Sequence, residues 1–312
     1  MDTTIRRGDV VHLGLLVLTA ALSYALPFEL LLISYIVLGP AHYYTEISWL
    51  HDRKYFMPHR GLAVVLALAA LGGMFIADPW WSGVLVWSCL VGAAIAALGL
   101  DPQRSALLAV IAAALTLGMM LGGAPFVFIA VLLPTFIHVS IFTFAFMTLG
   151  AMRSRSVVQF VILGAYLAAI ASILIVPPSS RTVIAEYARL GEYYFGPVAP
   201  QLGSLFGVPD LQFAGRIAGL LSFVYTYHYL NWFIKADIIR WADMPRPRLA
   251  AVALLSAAAT GLYFYNYAYG FMVLLLLSLI HVFLEFPLNS LSIGQLGAAF
   301  WSGVARRPLS PS

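Results

Sequence analysis

Apolar residues run along the chain in blocks, broken by short polar or basic clusters. The blocks cover roughly residues 10–26, 28–50, 61–77, 80–99, 104–122, 125–150, 156–177, 212–235, 248–267 and 270–288. A helix needs about 20 mostly apolar residues to cross the hydrocarbon core. Every backbone polar group within that core must be bonded internally. The pattern therefore predicts an all-α fold: a polytopic transmembrane helix bundle of about ten spans, forming a single transmembrane domain over residues 1–312. One connection is long. Residues 178–211 include "RTVIAEYARLGEYYFGPVAPQLGSLFG", where apolar and charged positions alternate at helical spacing, which predicts an amphipathic extracytoplasmic segment on the membrane surface. The two halves of the chain do not echo each other in motif or in broken helices, which argues against a two-fold transporter.

Composition strengthens the membrane reading. The chain is 62% hydrophobic and 10% charged, against about a quarter charged in soluble domains. So little charge cannot cover a water-facing surface, and the bilayer is the expected main solvent. The expected location is a bacterial cytoplasmic (inner) membrane. The apolar run after Arg6 and Arg7 continues to Leu26 with no small-residue cleavage site, so no cleavable signal peptide is expected. The single cysteine, Cys89, excludes an internal disulfide.

The basic residues read as topology rather than as nucleic-acid affinity. With the N-terminus inside, Arg6, Arg7, Arg53, Lys54, Arg60, Arg104, Arg153, Arg155, Lys235, Arg240, Arg246, Arg248, Arg306 and Arg307 fall on the cytoplasmic side. Only Arg181, Arg189 and Arg216 fall outside. Such a bias orients both termini to the cytoplasm.

Against this background a few ionisable residues sit inside the spans, where each costs a few kcal/mol or more. They are His42 and Glu46 in the second span, His138 in the sixth, His228 in the eighth, and His281 and Glu285 in the tenth. All four spans are even-numbered and run from outside to inside. In each, the histidine falls at or beyond the midpoint, so the four share one layer in the cytoplasmic half of the membrane. A lone membrane histidine is often only an interhelical hydrogen-bonding group, worth about 1 kcal/mol. Four in one layer with two glutamates point to a common site.

Spacing supports that site. His42/Glu46 and His281/Glu285 are i, i+4 pairs, each on one helical face. Such a pair supplies two ligands, or one ligand and a carboxylate that fixes its tautomer. Imidazole suits iron, zinc and copper. The set fits a mononuclear iron site with glutamates behind the histidines, or a di-iron site using all six residues. Gly39-Pro40 just before His42, and Pro134 four residues before His138, predict local breaks that open the helices around the site.

Other residues near these spans are weaker candidates. Asn231, one turn after His228, orients it or meets substrate, and Tyr43 and Tyr227 are candidate pocket residues. Tyr225 and Tyr229 add aromatics to the same span, and Trp232 and Trp241 read as an interface belt. His12 enters the first span from the cytoplasmic side, within reach of His51 by depth. His51 and Asp52 read as interfacial, His59 as solvated, Asp237 as a surface partner of Lys235, and Glu29 and Asp78 as outer-boundary residues.

No phosphate-binding loop, dinucleotide glycine fingerprint, nucleophile elbow or HExxH signature is present. The H-x-x-x-H boxes of membrane desaturases are missing as well. One histidine on each of several helices, in a small polytopic chain of this length, resembles the Brp/Blh membrane dioxygenases. The chain has no second histidine paired closely with His228. Members of that family cleave beta-carotene to retinal with iron held by four histidines. The resemblance implies His42, His138, His228 and His281 as metal ligands, with Glu46 and Glu285 behind them.

The sequence thus leads to a metal-dependent membrane enzyme, an iron oxygenase acting on a hydrophobic lipid or isoprenoid that arrives from the bilayer. In this reading Glu46, Glu285, Asn231 and Tyr227 assist the chemistry. The alternatives are a b-type haem protein with two axial histidines, a proton-coupled transporter or metal permease using the His/Glu set as a relay, and a zinc hydrolase at the same site.

Overall fold

The computed structural model describes residues 6–53, 64–65, 68, 71–72, 76, 79–121, 136–179, 210–235 and 240–302. Among these residues the fold is all-α. The helices are α1 (Arg7–Ala25), α2 (Pro27–Ile33), α3 (Gly39–Arg53), α4 (Pro79–Ala97), α5 (Pro102–Leu121), α6 (Thr143–Ser154), α7 (Val157–Ile175), α8 (Asp210–Ile234), α9 (Arg246–Tyr265) and α10 (Tyr267–Ser302). Two π-helical turns punctuate them, Ser34–Leu38 between α2 and α3 and His138–Phe142 before α6.

Four of the helices are long and apolar enough to cross a membrane: α1, α7, α9 and most of α10. Shorter apolar stretches occur within α4 and α5. The expected second span is instead a relay of α2, a π turn and α3, none of which alone has spanning length. Helix α8 is 25 residues long, but its Ser, Thr, Tyr, His and Asn side chains dilute its apolar character. Among those polar side chains is His228, which belongs to the site described below. Pro134, almost all of the expected third span and of the 178–211 segment, and the first part of the sixth span lie outside the described residues.

The end of the chain departs from expectation. The last span was expected to stop near residue 288, yet α10 continues through Pro287 to Ser302. Proline lacks an N–H and crowds the carbonyl four residues earlier, here Phe283. The helix tolerates this with Glu285 and Asn289 on either side, both buried.

Helix α8 is the central post. From Ala218 to Trp232 nearly every side chain is buried, and it packs on α1, α2, α3, α7 and both π turns. Helix α10 is the second post, touching α3, α4, α6 and α9. In a bilayer the apolar drive between helices vanishes, which leaves close packing and interhelical hydrogen bonds to hold a bundle. Ser34 and Thr226 hydroxyls, 2.6 Å apart, join the first π turn to α8. Gly270 lets α10 cross α9 closely: a Cβ there would lie 2.1 Å from Tyr263 Cα.

A side chain from a neighbouring helix donates to one backbone carbonyl in each π turn. Thr260 of α9 donates to the Ile36 carbonyl at 2.9 Å. Tyr166 of α7 donates to the Ser140 carbonyl at 3.3 Å. π turns recur at functional sites.

Candidate metal centre

The two posts and the two π turns converge on one point. His42 sits in the first turn of α3, just after one π turn, and His138 opens the other. His228 comes from α8 and His281 from α10. All four side chains are buried.

Their rings form a closed circuit. Successive centroids are 4.7 Å (His42–His228), 5.1 Å (His228–His138), 5.0 Å (His138–His281) and 5.4 Å (His281–His42) apart. Within it, the Nε2 atoms of His42 and His228 face each other at 3.0 Å, and those of His281 and His138 at 3.2 Å. One nitrogen each from His42, His228 and His281 lies within 4.8 Å of the others. The four histidines that the sequence reading grouped into one site are thus in direct contact. This histidine cluster is compatible with a bound metal ion.

A test of fit comes from spacing and from orphaned atoms. Two nitrogens each about 2.1 Å from one ion, at right-angled or tetrahedral geometry, stand about 3.0–3.4 Å apart. The two Nε2 pairs fall in that range. Buried polar atoms are almost always hydrogen-bonded, yet His42 Nδ1, Glu46 Oε2 and His138 Nδ1 have no hydrogen bond. Glu46 Oε2 is 2.9 Å from His42 Nε2, and Glu285 Oε2 is 2.9 Å from His138 Nδ1. Each is a short contact between a carboxylate oxygen and a ring nitrogen. The facing Nε2 pairs match the spacing of nitrogens on one ion, and the carboxylates of Glu46 and Glu285 stand beside them as oxygen donors.

The carboxylates are not scattered around the histidines. Glu46 and Glu285 come within hydrogen-bonding reach of each other, so α3 and α10 meet through their acids as well as their imidazoles. The Asn289 amide donates to Glu285 Oε2 at 3.3 Å. The i, i+4 reading of His42 and Glu46 holds as a contact. Glu285, by contrast, reaches across to His138 on another helix rather than to its own i−4 neighbour.

Thr143, which the sequence reading did not single out, and Tyr43, expected as a pocket residue, both support the circuit. Thr143 Oγ1 lies 2.8 Å from His228 Nδ1; an N–H donated there leaves the His228 Nε2 lone pair facing His42. Thr143 follows His138 by five residues, and the intervening π turn brings that position nearer the same face than an α-helix would. Tyr43 stacks on His281, with centroids 4.3 Å apart and planes 28° apart. Its hydroxyl bonds that of Tyr229 at 2.6 Å and lies within reach of Ser278. Gly39 makes room for this phenol, since a Cβ there would sit 3.2 Å from the Tyr43 hydroxyl.

Other candidates lie elsewhere. Tyr227 turns away from the histidine circuit: its hydroxyl meets His12 Nε2 at 2.5 Å and the two rings stack at 8°. Asn231 lies against His12 as well, and its Oδ1 is buried without a hydrogen bond. These residues belong to the α1–α7–α8 contact, where Gln159 Nε2 donates to Asp9 Oδ1. His51 is exposed beside Asp52 and apart from the circuit, and His59 and Asp237 lie outside the described residues. Trp232, expected at an interface belt, is buried 5.4 Å from His42 and donates its Nε1–H to Thr45 Oγ1 at 3.0 Å.

No protein-family model matches the chain, and neither a curated protein nor a solved structure matches it.

Proposed function

We propose that the chain is a membrane-embedded iron oxygenase acting on a hydrophobic lipid or isoprenoid. The observation that carries the reading is the closed circuit of four buried histidines with facing Nε2 atoms. His42, His138, His228 and His281 would hold the ion, and an all-imidazole set favours iron, zinc or copper over hard cations. Four neutral ligands leave coordination positions free. Iron, when bound, would supply dioxygen binding and activation.

The chain's own residues define what happens around that ion. Thr143 orients His228, and Glu285 orients His138 while Asn289 restrains it. Carboxylates behind ligand histidines raise their basicity and fix their rings. The Tyr43–Tyr229 pair and Trp232 wall the site with aromatic surface, excluding water from the reacting region. The Glu46–Glu285 contact is a place where one proton can be held between two carboxylates beside the ion. In this reading the chain crosses a bacterial inner membrane about ten times with both termini cytoplasmic, and the site lies in the cytoplasmic half. Substrate then enters sideways from lipid, as the resemblance to the carotenoid-cleaving Brp/Blh enzymes suggests.

A b-type haem fits less well. Axial ligation needs two histidines across a flat apolar slot, whereas these four rings pack edge to face on one another.

The test is oxygen-dependent turnover. Detergent-purified protein loaded with ferrous iron should bleach beta-carotene or another polyene in air, giving a shorter carbonyl product. His281→Ala should abolish the bleaching. Iron-loaded protein inert towards carotenoids and unsaturated lipids alike would sink the oxygenase reading, and activity with zinc alone would turn it to hydrolysis.

A further inference from the structure

The histidine circuit is connected to the end of α3 by a run of indole rings. Trp232 lies edge-on to His42, centroids 5.4 Å apart and planes at 82°. Trp49 lies edge-on to Trp232 at 5.7 Å and 90°. The guanidinium of Arg53 covers Trp49 at 5.9 Å, and Arg53 is exposed. Two steps between touching rings therefore lead from a ligand histidine to the protein surface. We propose that Trp232 and Trp49 form an electron conduit between the metal centre and the Arg53 end of α3. This rests on the redox-metal reading above and adds the route by which the centre exchanges single electrons with the surface.

The argument is chemical as well as geometric. Electron tunnelling falls exponentially with the gap between donor and acceptor, so rings in van der Waals contact divide one long transfer into short ones. Indole is among the most easily oxidised side chains, and its radical cation forms without prior proton loss. The Trp232 Nε1–H is already donated to Thr45 Oγ1, a neutral hydroxyl beside it. A phenol must release its proton to a base when it gives up an electron.

A competing line of phenols runs the other way from Tyr43 through Tyr229 (5.9 Å) and Tyr225 (6.0 Å) to Tyr35 (6.3 Å). Beyond Tyr35 it continues only through Phe271, a ring far harder to oxidise than indole or phenol, before it reaches Tyr267 and Tyr263. Its first two hydroxyls bond each other, and neither is a base. The indoles thus offer the shorter and chemically simpler exit.

The conduit has a use when the centre is oxidised without substrate. Hydrogen peroxide takes two electrons and two protons to become two waters. A bound ferrous ion would supply one of these electrons. Trp232 supplies the other and recovers it from Trp49, which is left as a radical cation at the surface end. There it loses its Nε1 proton to water, or is restored by a soluble one-electron reductant.

The experiment uses full-length protein in detergent, loaded with ferrous iron and free of lipid substrate. It is treated with an equimolar amount of peroxide and a nitroso spin trap, and adducts are mapped by peptide mass spectrometry. Iron is quantified in the same samples. Of the seven tryptophans, Trp49 should carry most of the adduct, and Trp232→Phe should lose it. Trp81 and Trp301, 59% and 91% exposed, are the controls for indiscriminate oxidation. Adducts that follow exposure, or a Trp49 adduct that survives Trp232→Phe, overturn the conduit and leave the iron site standing. If Trp232→Phe fails to hold iron, Trp49→Phe decides: the adduct should move back to Trp232, and an unchanged pattern overturns the conduit. Wild-type protein that binds no iron overturns both readings together.

Discussion

The Nε2 atoms of His42 and His228, 186 residues apart in the chain, lie 3.0 Å from each other in the buried centre of the bundle. Facing imidazole nitrogens at that distance are the local form of a wider pattern, the four-membered circuit closed by His138 and His281. The shells around it differ in how much they hold the circuit and how much they hold the bundle, and the two roles separate experimentally.

Thr143 should act through His228. Thr143→Val removes the partner of His228 Nδ1 while keeping the shape of the side chain. Loss of such an outer partner typically lowers metal affinity about 10–100-fold. Competition against a chelator is expected to show this for Thr143→Val and near-normal affinity for Thr143→Ser. Equal affinity in all three proteins would remove Thr143 from the site.

His12 should act on the bundle alone. Its contact with Tyr227 joins α1 to α8 away from the circuit. An interhelical bond of this kind is worth about 1 kcal/mol in a membrane. His12→Ala is expected to lower the Tm in detergent while leaving metal content unchanged. Loss of metal in that variant, with the protein still folded, would connect the two clusters.

These two residues also show what the chain made legible and what it hid. Imidazoles inside apolar runs are costly and so conspicuous, and the alternating direction of the spans placed four of them in one layer. The structure brings their rings into contact. Thr143 was hidden because hydroxyls are cheap and common in membrane helices, and because only a π turn brings it towards the face of His138. Tyr227 misled for the opposite reason: it is adjacent to His228 in sequence. A helix turns about 100° per residue, so neighbours in sequence point to different partners, here α1 instead of α3. The length of α10 was misjudged because Pro287 normally marks an end, whereas burial of Glu285 and Asn289 around it carries the helix on. The apolar run expected at 212–235 does form α8, Asp210–Ile234, although its polar side chains keep its hydropathy low.

Gly270 should tolerate no side chain. A Cβ would fall 2.1 Å from Tyr263 Cα and 2.6 Å from its backbone nitrogen, atoms that cannot swing aside. Overpacking typically costs about 1–3 kcal/mol, and a backbone clash belongs at the upper end. Gly270→Ala is expected to show a markedly lower Tm or poor yield, whereas Gly261→Ala, with open space at its Cβ, should behave like wild type.

At the end of α3, Arg248 of α9 grips Asp52 with contacts of 2.6 and 2.7 Å to its two oxygens. Those bonds, with a smaller contribution from His51, hold the Asp52 carboxyl below its ordinary range. A depressed carboxylate stabilises the fold above that range, and the stabilisation is lost as pH falls through it. Asp52 is 42% exposed, so solvent limits the pair to less than about 1 kcal/mol. The Tm gap between wild type and Asp52→Asn should be small at neutral pH and close in acid. A gap that widens on acidification would contradict this sign.

The most direct measurement of the central claim is metal content. Wild-type protein purified in detergent without added chelator, and His42→Ala, His228→Ala and His281→Ala beside it, would be analysed for bound transition metals together with a visible spectrum. The expected result is stoichiometric iron in wild type without a haem Soret band, and its loss in each variant while the protein remains folded. Folded wild-type protein that holds no transition metal, even after anaerobic incubation with ferrous iron, would contradict the claim that these four histidines form a metal centre.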